Sequence, residues 1–291
     1  MTENNAQEST FEYYRYNPSL AAAIIFVALF GLVTVIHVYR VVRTKTWYFV
    51  PFLIGGVFEV IGYIGRILSS RESPNWTMGP YIIQTLFLLL APALFAASIY
   101  MELGRIILLV NGESRSLIKR KWLTKTFVTG DVLSFLMQGA GGGIMTTSLH
   151  TGQYVVIGGL VVQLLFFGFF MVTALIFHTR IHRRPTNASL SVPWSRHQYA
   201  LYSASILILV RSVFRVIEYA QGNDGFLLRH EYFLYIFDSV LMWGTMALFL
   251  VVPPGQLTQM LAEEKWNGTS QSGGLDYEMV VTRERQPDKH V

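Results

Sequence analysis

Seven apolar runs, each long enough to cross a bilayer as a helix, constrain this 291-residue chain more than any other feature. They lie at 19–39, 48–68, 81–102, 124–145, 154–178, 198–219 and 232–252. A helix needs about 20 predominantly apolar residues to cross the hydrocarbon core. A transmembrane β-barrel would instead show segments of about 10 residues with alternating hydrophobicity, which these unbroken runs disfavour. We therefore predict an all-α polytopic membrane protein built as a bundle of seven transmembrane helices.

The composition agrees with a membrane location. Only 14% of the residues are charged, against about 25% in an average soluble domain. Cysteine is absent, which excludes disulfides and thiolate metal ligands. The polar start lacks the basic n-region of a signal peptide. We predict an extracellular N-terminal tail at 1–18, a transmembrane domain at 19–254, and a cytosolic tail at 255–291 that is poor in apolar residues and disordered.

The basic residues of the short loops predict the orientation of the bundle. One side holds thirteen of them, whereas the other side holds only Arg15, Arg71 and Arg229. The thirteen are Arg40, Arg43, Lys45, Arg105, Arg115, Lys119, Arg120, Lys121, Lys125, Arg180, Arg183, Arg184 and Arg196. Because cytoplasmic loops carry the excess of lysine and arginine, we predict that the N-terminus is outside and the C-terminus cytosolic. The sequon at Asn75 then lies in an outer loop and predicts a glycosylation site.

Polar side chains inside the apolar runs are the candidate site, because such groups are costly at bilayer depth and usually face the bundle interior. They are Glu59, Arg66, Gln84, Asp131, Gln138, Gln163, Arg211, Arg215, Glu218 and Asp238. Helical rise places Glu59 near the midplane and most of the others in the outer half. Arg211, Arg215 and Glu218 share one helix face by their spacing.

We predict that acids on spans 2, 4 and 7 pair with the arginines on spans 2 and 6. These groups would surround a wet cavity that opens to the outside and narrows near Glu59. The alternative is a set of ion pairs that only locks the bundle. The glycine-rich stretch "GAGGGIM" at 139–145 has two similar interpretations. It indicates either close helix packing or a flexible break beside a substrate.

Several kinds of chemistry lack their motifs. "HTRIH" places His178 and His182 one helical turn apart, within reach of one metal. No second histidine box accompanies them, so we predict no metal and no cofactor. A Walker-type motif for ATP hydrolysis is missing, and no basic surface interleaved with aromatics indicates a nucleic-acid partner. We therefore predict that the chain is not an enzyme, and an intramembrane enzyme that uses the two histidines is the weaker alternative.

Stretches in six spans occur in the order of a known family. They are "EVIGYIGR" (59–66), "LLLAPALFAASIYMELGRII" (88–107), "TGDVLSFLMQGAGGG" (129–143), "GGLVVQLLFFGFF" (158–170), "VRSVFRVIEYAQGNDG" (210–225) and "EYFLYIFDSVLM" (231–242). Together they resemble the fungal seven-span lipid-translocating exporter family, of the 7-aminocholesterol-resistance and sphingoid long-chain-base exporter type. The resemblance implies a multi-pass plasma-membrane protein that moves amphipathic lipids or confers resistance to toxic ones. Its charged positions carry over to Glu59, Arg66, Glu102, Arg105, Asp131, Gln138, Arg211, Arg215, Glu218, Glu231 and Asp238.

The leading hypothesis is a transporter or translocase for an amphipathic lipid such as a sphingoid long-chain base, with membrane lipids around it. A cationic amine head group would pair with Glu59, Asp131 or Asp238, while Arg211 and Arg215 would hold a phosphate or carboxylate. The alternative is a seven-helix lipid receptor or sensor without transport activity. A receptor would engage a cytosolic partner through the basic inner loops, and only a transporter would show flux in liposomes.

Overall fold

Seven long helices make up most of the described chain. The computed structural model describes Tyr14 and residues 16–145, 147–222 and 225–263. The first six helices are α1 Leu20–Thr44, α2 Val50–Arg71, α3 Met78–Leu109, α4 Arg120–Ile144, α5 Leu149–Arg183 and α6 Ser195–Ala220. The seventh, α7, runs through Glu231–Leu234, a π-helical stretch Tyr235–Val240, and Leu241–Val251. Single helical turns occur in the connections at Trp47–Phe49, Glu113–Arg115 and Asn187–Ser191.

The lengths and hydropathy of these helices confirm an all-helical, multi-pass membrane protein. Six helical segments of the described ranges are long and apolar enough to span a bilayer: Leu20–Thr44, Trp47–Arg71, Met78–Leu109, His150–Arg183, Ser195–Ala220 and Glu231–Glu263. The α4 helix has 25 residues but is not among the six. Asp131, Gln138 and a run of glycines lower its mean hydropathy. Its crossing of the membrane and the orientation of the bundle therefore stay predictions.

The helices close into a ring in chain order. Each helix contacts the next, α7 contacts α1 as well as α6, and α3 also reaches across to α6. Glycines permit the closest approaches, since a Cβ at Gly65 of α2 would lie 2.9 Å from the Gln84 amide nitrogen of α3. A Cβ at Gly159 of α5 would lie 2.8 Å from the Ser134 carbonyl oxygen of α4. Consequently α2 with α3, and α4 with α5, form two tightly packed pairs.

Aromatic side chains fill the interior, and aliphatic ones cover the periphery. Phe49, Phe52 and Phe95 are fully buried and pack ring against ring. On the outside, Val35 and Leu165 are each 67% exposed. Exposure of apolar surface to water costs roughly 25 cal/mol per Å², whereas lipid chains cover such side chains at no such cost. Exposed aliphatic side chains around a buried aromatic core are therefore typical of a protein surrounded by lipid.

Residues beyond the predicted end of the transmembrane domain also pack against it. Residues 254–263 are helical, and Leu257 and Leu261 are buried. This differs from the predicted disordered tail at 255–291, because these leucines recur at helical spacing and cover one end of the core. The remainder of that tail, and the predicted N-terminal tail apart from Tyr14 and 16–18, lie outside the described residues.

Candidate functional site

Asp238 of α7 holds two arginines of α6 in a buried ion cluster. Arg211 Nε donates to Asp238 Oδ1, and Arg215 Nη2 donates to Asp238 Oδ2. Arg215 Nη1 donates to Glu218 Oε2 at 2.9 Å. Asp238 and Arg211 are each 2% exposed, while Arg215 is 13% exposed. These four residues and Glu59 are called the ion cluster below.

Local sequence explains how the cluster forms. Arg211, Arg215 and Glu218 recur every three or four residues and so lie on one face of α6. Asp238 lies in the π-helical stretch of α7, a rare geometry that is frequent at functional sites. Asp238 and its neighbour Ser239 are both buried there. The cluster therefore joins a regular helix face to an irregular turn.

Glu59 of α2 adds a carboxylate to the cluster. It is 1% exposed and interacts electrostatically with Asp238, Arg211 and Arg215. Its Oε1 has no hydrogen-bond partner within the described part of the chain. With Glu218 there are three carboxylates against two guanidiniums, so the fully ionised cluster carries one negative charge in excess. Since buried charge is stable only when paired, the cluster is suited to take up a proton or a cation.

Arg66 lies outside the ion cluster, although the sequence predicted one network. Its Nη2 donates to Glu231 Oε1 at 2.7 Å and to the Tyr16 hydroxyl at 2.9 Å, and its Nε donates to the Tyr235 hydroxyl at 3.0 Å. Glu231 Oε1 also accepts the Ser19 amide at 2.7 Å. The predicted pairing of Arg66 with acids inside the spans is replaced by a pairing at their ends. Arg66 thus ties the N-terminal segment to α2 and α7.

Tyr14 closes the same end of the bundle, which we call the N-terminal end because α1 begins there. Its hydroxyl lies 2.8 Å from Gln84 Oε1 and 3.0 Å from Ser69 Oγ. Burial raises the pKa of the Tyr14 hydroxyl further above neutral, where a tyrosine is protonated in any case and can donate. Gln84 is therefore held by Tyr14, and it also accepts from Arg66 Nη1 at 3.4 Å.

A cavity of about 510 Å³ opens beside the ion cluster in the N-terminal half of the bundle. Its volume is in the range of small-molecule sites, about 300–1,000 Å³. Four predicted residues line it: Gln84, Gln138, Arg215 and Glu218. The sequence did not single out its other polar lining residues, Tyr14, Tyr16, Tyr81, Thr85, Gln153, Tyr219 and His230. Most of them lie near helix ends or in loops, where a polar residue gives no signal.

Gln138 of α4 reaches from a buried network to the cavity wall. Its Nε2 donates to Ser134 Oγ at 2.7 Å and to Gln163 Oε1 at 3.2 Å. Its Oε1 is buried and has no hydrogen-bond partner among the described residues. A buried polar atom without a partner costs about 1–3 kcal/mol. Gln138 therefore keeps one acceptor oxygen free beside the cavity wall, whereas Gln163 is not part of that wall.

Asp131 does not join the arginines, contrary to the predicted pairing of acids on span 4. It is 5% exposed and faces the buried Tyr100 hydroxyl of α3. Helical rise gives the position of Asp131 along the axis of α4, but it does not give the direction in which the side chain points. Asp131 therefore lies apart from the ion cluster around Asp238.

Two further pairs of polar side chains lie away from the cavity, and only the first pair is buried. Glu102 of α3 and His197 of α6 are fully buried, with His197 Nδ1 at 3.5 Å from Glu102 Oε1. His178 and His182 have ring centroids 4.9 Å apart, and His178 Nδ1 lies 3.2 Å from the Tyr202 hydroxyl. No group of three histidine, cysteine or acidic side chains suited to a metal occurs in the described ranges.

Comparison with known proteins gives the chain's relatives. Residues 52–260 match the family model "RTA1 like protein". The chain is 38% identical over 282 residues to Protoporphyrin uptake protein 1 of Saccharomyces cerevisiae, covering 84% of this chain and 92% of that protein. It is 37% identical over 272 residues to Protein RTA1 of the same yeast, covering 84% and 85%. Identity to Sphingoid long-chain base transporter RSB1 of S. cerevisiae is 25% over 277 residues, covering 82% and 72%. No solved structure matches.

Proposed function

Because the chain belongs to the RTA1-like protein family, as its sequence motifs predicted, we propose that it transports amphipathic lipids such as sphingoid long-chain bases, or protects against toxic ones. The observation that carries the proposal is the cavity of about 510 Å³, in which apolar walls meet Arg215 and Glu218. An amphiphile has the same division into a hydrocarbon chain and a charged head. The name of one relative, a sphingoid long-chain base transporter, supports this lipid class.

The charge of the ion cluster favours a cationic head group. Arg211 and Arg215 already donate to Asp238, so they are less suited to a phosphate than the sequence indicated. Glu218 lines the cavity and accepts a hydrogen bond from Arg215 through one of its two carboxylate oxygens. An ammonium group there would form a charge-assisted hydrogen bond and balance the excess carboxylate. Gln84 and Gln138 would then contact neighbouring hydroxyl groups.

The proposal includes the arrangement in the membrane. All seven long helices cross the plasma membrane, α4 among them, because its polar residues face the interior rather than lipid. The N-terminal end of the bundle faces outside, following the excess of basic residues at the other end. Asn75 is exposed in the loop between α2 and α3 and is then accessible to glycosylation. The basic loops remain available to a cytosolic partner.

Release of a labelled sphingoid base from proteoliposomes tests the proposal. Wild-type protein should accelerate release over protein-free liposomes, and Glu59→Gln should slow it because the excess negative charge is gone. Glu113→Gln is the matched control, since this carboxylate is 58% exposed in a loop and pairs with Arg120, away from the cavity. A wild-type protein that binds the base and releases none would instead identify a receptor or sensor. Equal release by Glu59→Gln and wild type would remove Glu59 from the site.

A further inference from the structure

Apolar side chains of α3 that stay partly accessible line one side of the cavity. Three of them line the cavity and keep more than a third of their surface accessible: Met78 at 46%, Ile82 at 39% and Leu86 at 38%. Their spacing of four residues places them in one stripe along the helix. The stripe gives the cavity an apolar, accessible edge along α3.

Glycines form the facing edge on α4. Gly139 and Gly142 line the cavity, and a Cβ built at either position meets no described atom within 4 Å outside its own helix. Gly141 differs, because its Cβ would lie 2.8 Å from the Gly152 carbonyl oxygen of α5. Of the two interpretations of "GAGGGIM", close packing therefore applies to Gly141. At Gly139 and Gly142 the missing side chains leave open space.

The charged residues of the cavity wall come from neither α3 nor α4. Arg215 and Glu218 come from α6, and the unpartnered Gln138 Oε1 is buried on the inner side of α4. The edge formed by the α3 stripe and by Gly139 and Gly142 of α4 carries no charged side chain. A ligand with one charged end would place that end inward and its apolar end at this edge.

We propose that the space between α3 and α4 is a lateral opening to the bilayer, through which the hydrocarbon chain of a bound amphiphile extends into the membrane. The identity of that amphiphile rests on the proposed function, whereas the opening itself does not. An opening of this kind lets the cavity hold the head group of a lipid whose chain is longer than the cavity. The size of the cavity would then set no limit on the length of the lipid's hydrocarbon chain.

Fluorescence quenching tests the opening without any substrate. The chain has no cysteine, so Thr85→Cys can be labelled with bimane inside the cavity and reconstituted in phosphatidylcholine with brominated acyl chains. Quenching relative to unbrominated lipid is expected, because acyl chains enter through the opening. Adding Gly142→Leu should cause loss of that quenching. Gly168→Leu is the matched control, since a Cβ at Gly168 of α5 also meets no atom within 4 Å and it does not line the cavity. An unquenched label, or quenching that Gly142→Leu leaves unchanged, would overturn the opening.

Chain-length dependence separates this proposal from the function on which it rests. Gly142→Leu should weaken binding of an 18-carbon sphingoid base about tenfold, because methylene groups lose their burial at the opening. An 8-carbon analogue, which does not need the opening, should bind Gly142→Leu and wild type alike. Equal weakening of both would overturn the lateral route. If wild type binds neither while the label is still quenched by lipid, the proposed function fails and the opening stands.

Discussion

The guanidinium of Arg211 donates to the carbonyl oxygen of Leu88 at 2.7 Å. In an unbroken α-helix that carbonyl would accept the N–H of residue 92, but α3 has Pro92 at this position and proline has no N–H. Arg211 therefore satisfies the backbone of α3 and the carboxylate of Asp238 at the same time. The proline in α3 and the ion cluster form one structural unit, which fixes α6 against α3 beside the cavity.

This relationship predicts a coupling between positions 92 and 211. Arg211→Lys should destabilise the protein, because a single ammonium cannot replace both contacts of the planar guanidinium. Adding Pro92→Ala should recover about 1 kcal/mol, since the new backbone N–H can then donate to the Leu88 carbonyl. A double-mutant cycle of unfolding free energies measures this coupling. Pro80→Ala is the control, because Pro80 lies in the first turn of α3 and leaves no helical carbonyl unpaired; its effect should be additive.

Asp238 should be the member of the ion cluster on which stability depends most. Asp238→Asn removes the charge that two buried guanidiniums share, and breaking such a buried pair costs about 3–5 kcal/mol. Glu218→Gln leaves the two arginines paired with Asp238 and should cost less. Thermal unfolding of the two variants in one detergent makes the comparison. A smaller loss for Asp238→Asn than for Glu218→Gln would contradict the assigned geometry.

Glu231 should control the N-terminal segment. Its Oε1 accepts from Arg66, from the Tyr235 hydroxyl and from the Ser19 amide. Glu231→Gln removes the charge that supports these three hydrogen bonds, so hydrogen exchange at the Ser19 amide should become faster. Glu72→Gln is the control at the same end of the bundle, because Glu72 accepts its hydrogen bonds from Thr77 in the neighbouring loop. Unchanged exchange at Ser19 would show that the segment is held by other contacts.

The loop between α2 and α3 should respond to acid. Glu72 Oε2 accepts from the Thr77 hydroxyl at 2.7 Å and from its amide at 3.0 Å, and these bonds hold the pKa of Glu72 below its usual value. A carboxyl with a lowered folded-state pKa stabilises the fold above its unfolded-state pKa, and that contribution is lost as the pH falls through the folded-state pKa. Protection of the Thr77 amide from hydrogen exchange should therefore decrease in that acidic range. In Glu72→Gln the protection should be low and independent of pH.

The sequence predicted the all-helical membrane fold, because hydropathy and segment length determine it, whereas the depth of the polar residues in the bilayer stays a prediction. The sequence also correctly placed Arg211, Arg215 and Glu218 on one face of α6, because residues three or four positions apart lie on the same side of a helix. It failed for Asp131, because the rotation of α4 about its axis depends on how Gly141 and Gly159 pack between α4 and α5. Hydropathy carries no information about that rotation.

Features that depend on contacts between distant parts of the chain could not be predicted from the sequence either. Pro92 could be predicted to disturb α3, but its relation to Arg211 appears only when α3 and α6 are in contact. The π-helical turn at Asp238 has no simple sequence signal. The cavity is lined by tyrosines such as Tyr14 and Tyr219, which sequence patterns assign to membrane interfaces or leave unassigned. These positions are fixed by packing and not by local propensity.

The most direct test of the account is equilibrium binding of an 18-carbon sphingoid base to purified wild-type, Glu218→Gln and Glu113→Gln proteins. Wild type and Glu113→Gln should bind alike. Glu218→Gln should bind about tenfold more weakly, the effect of losing one charge-assisted hydrogen bond. Equal affinity of all three proteins would contradict the assignment of the head group to the cavity beside Glu218.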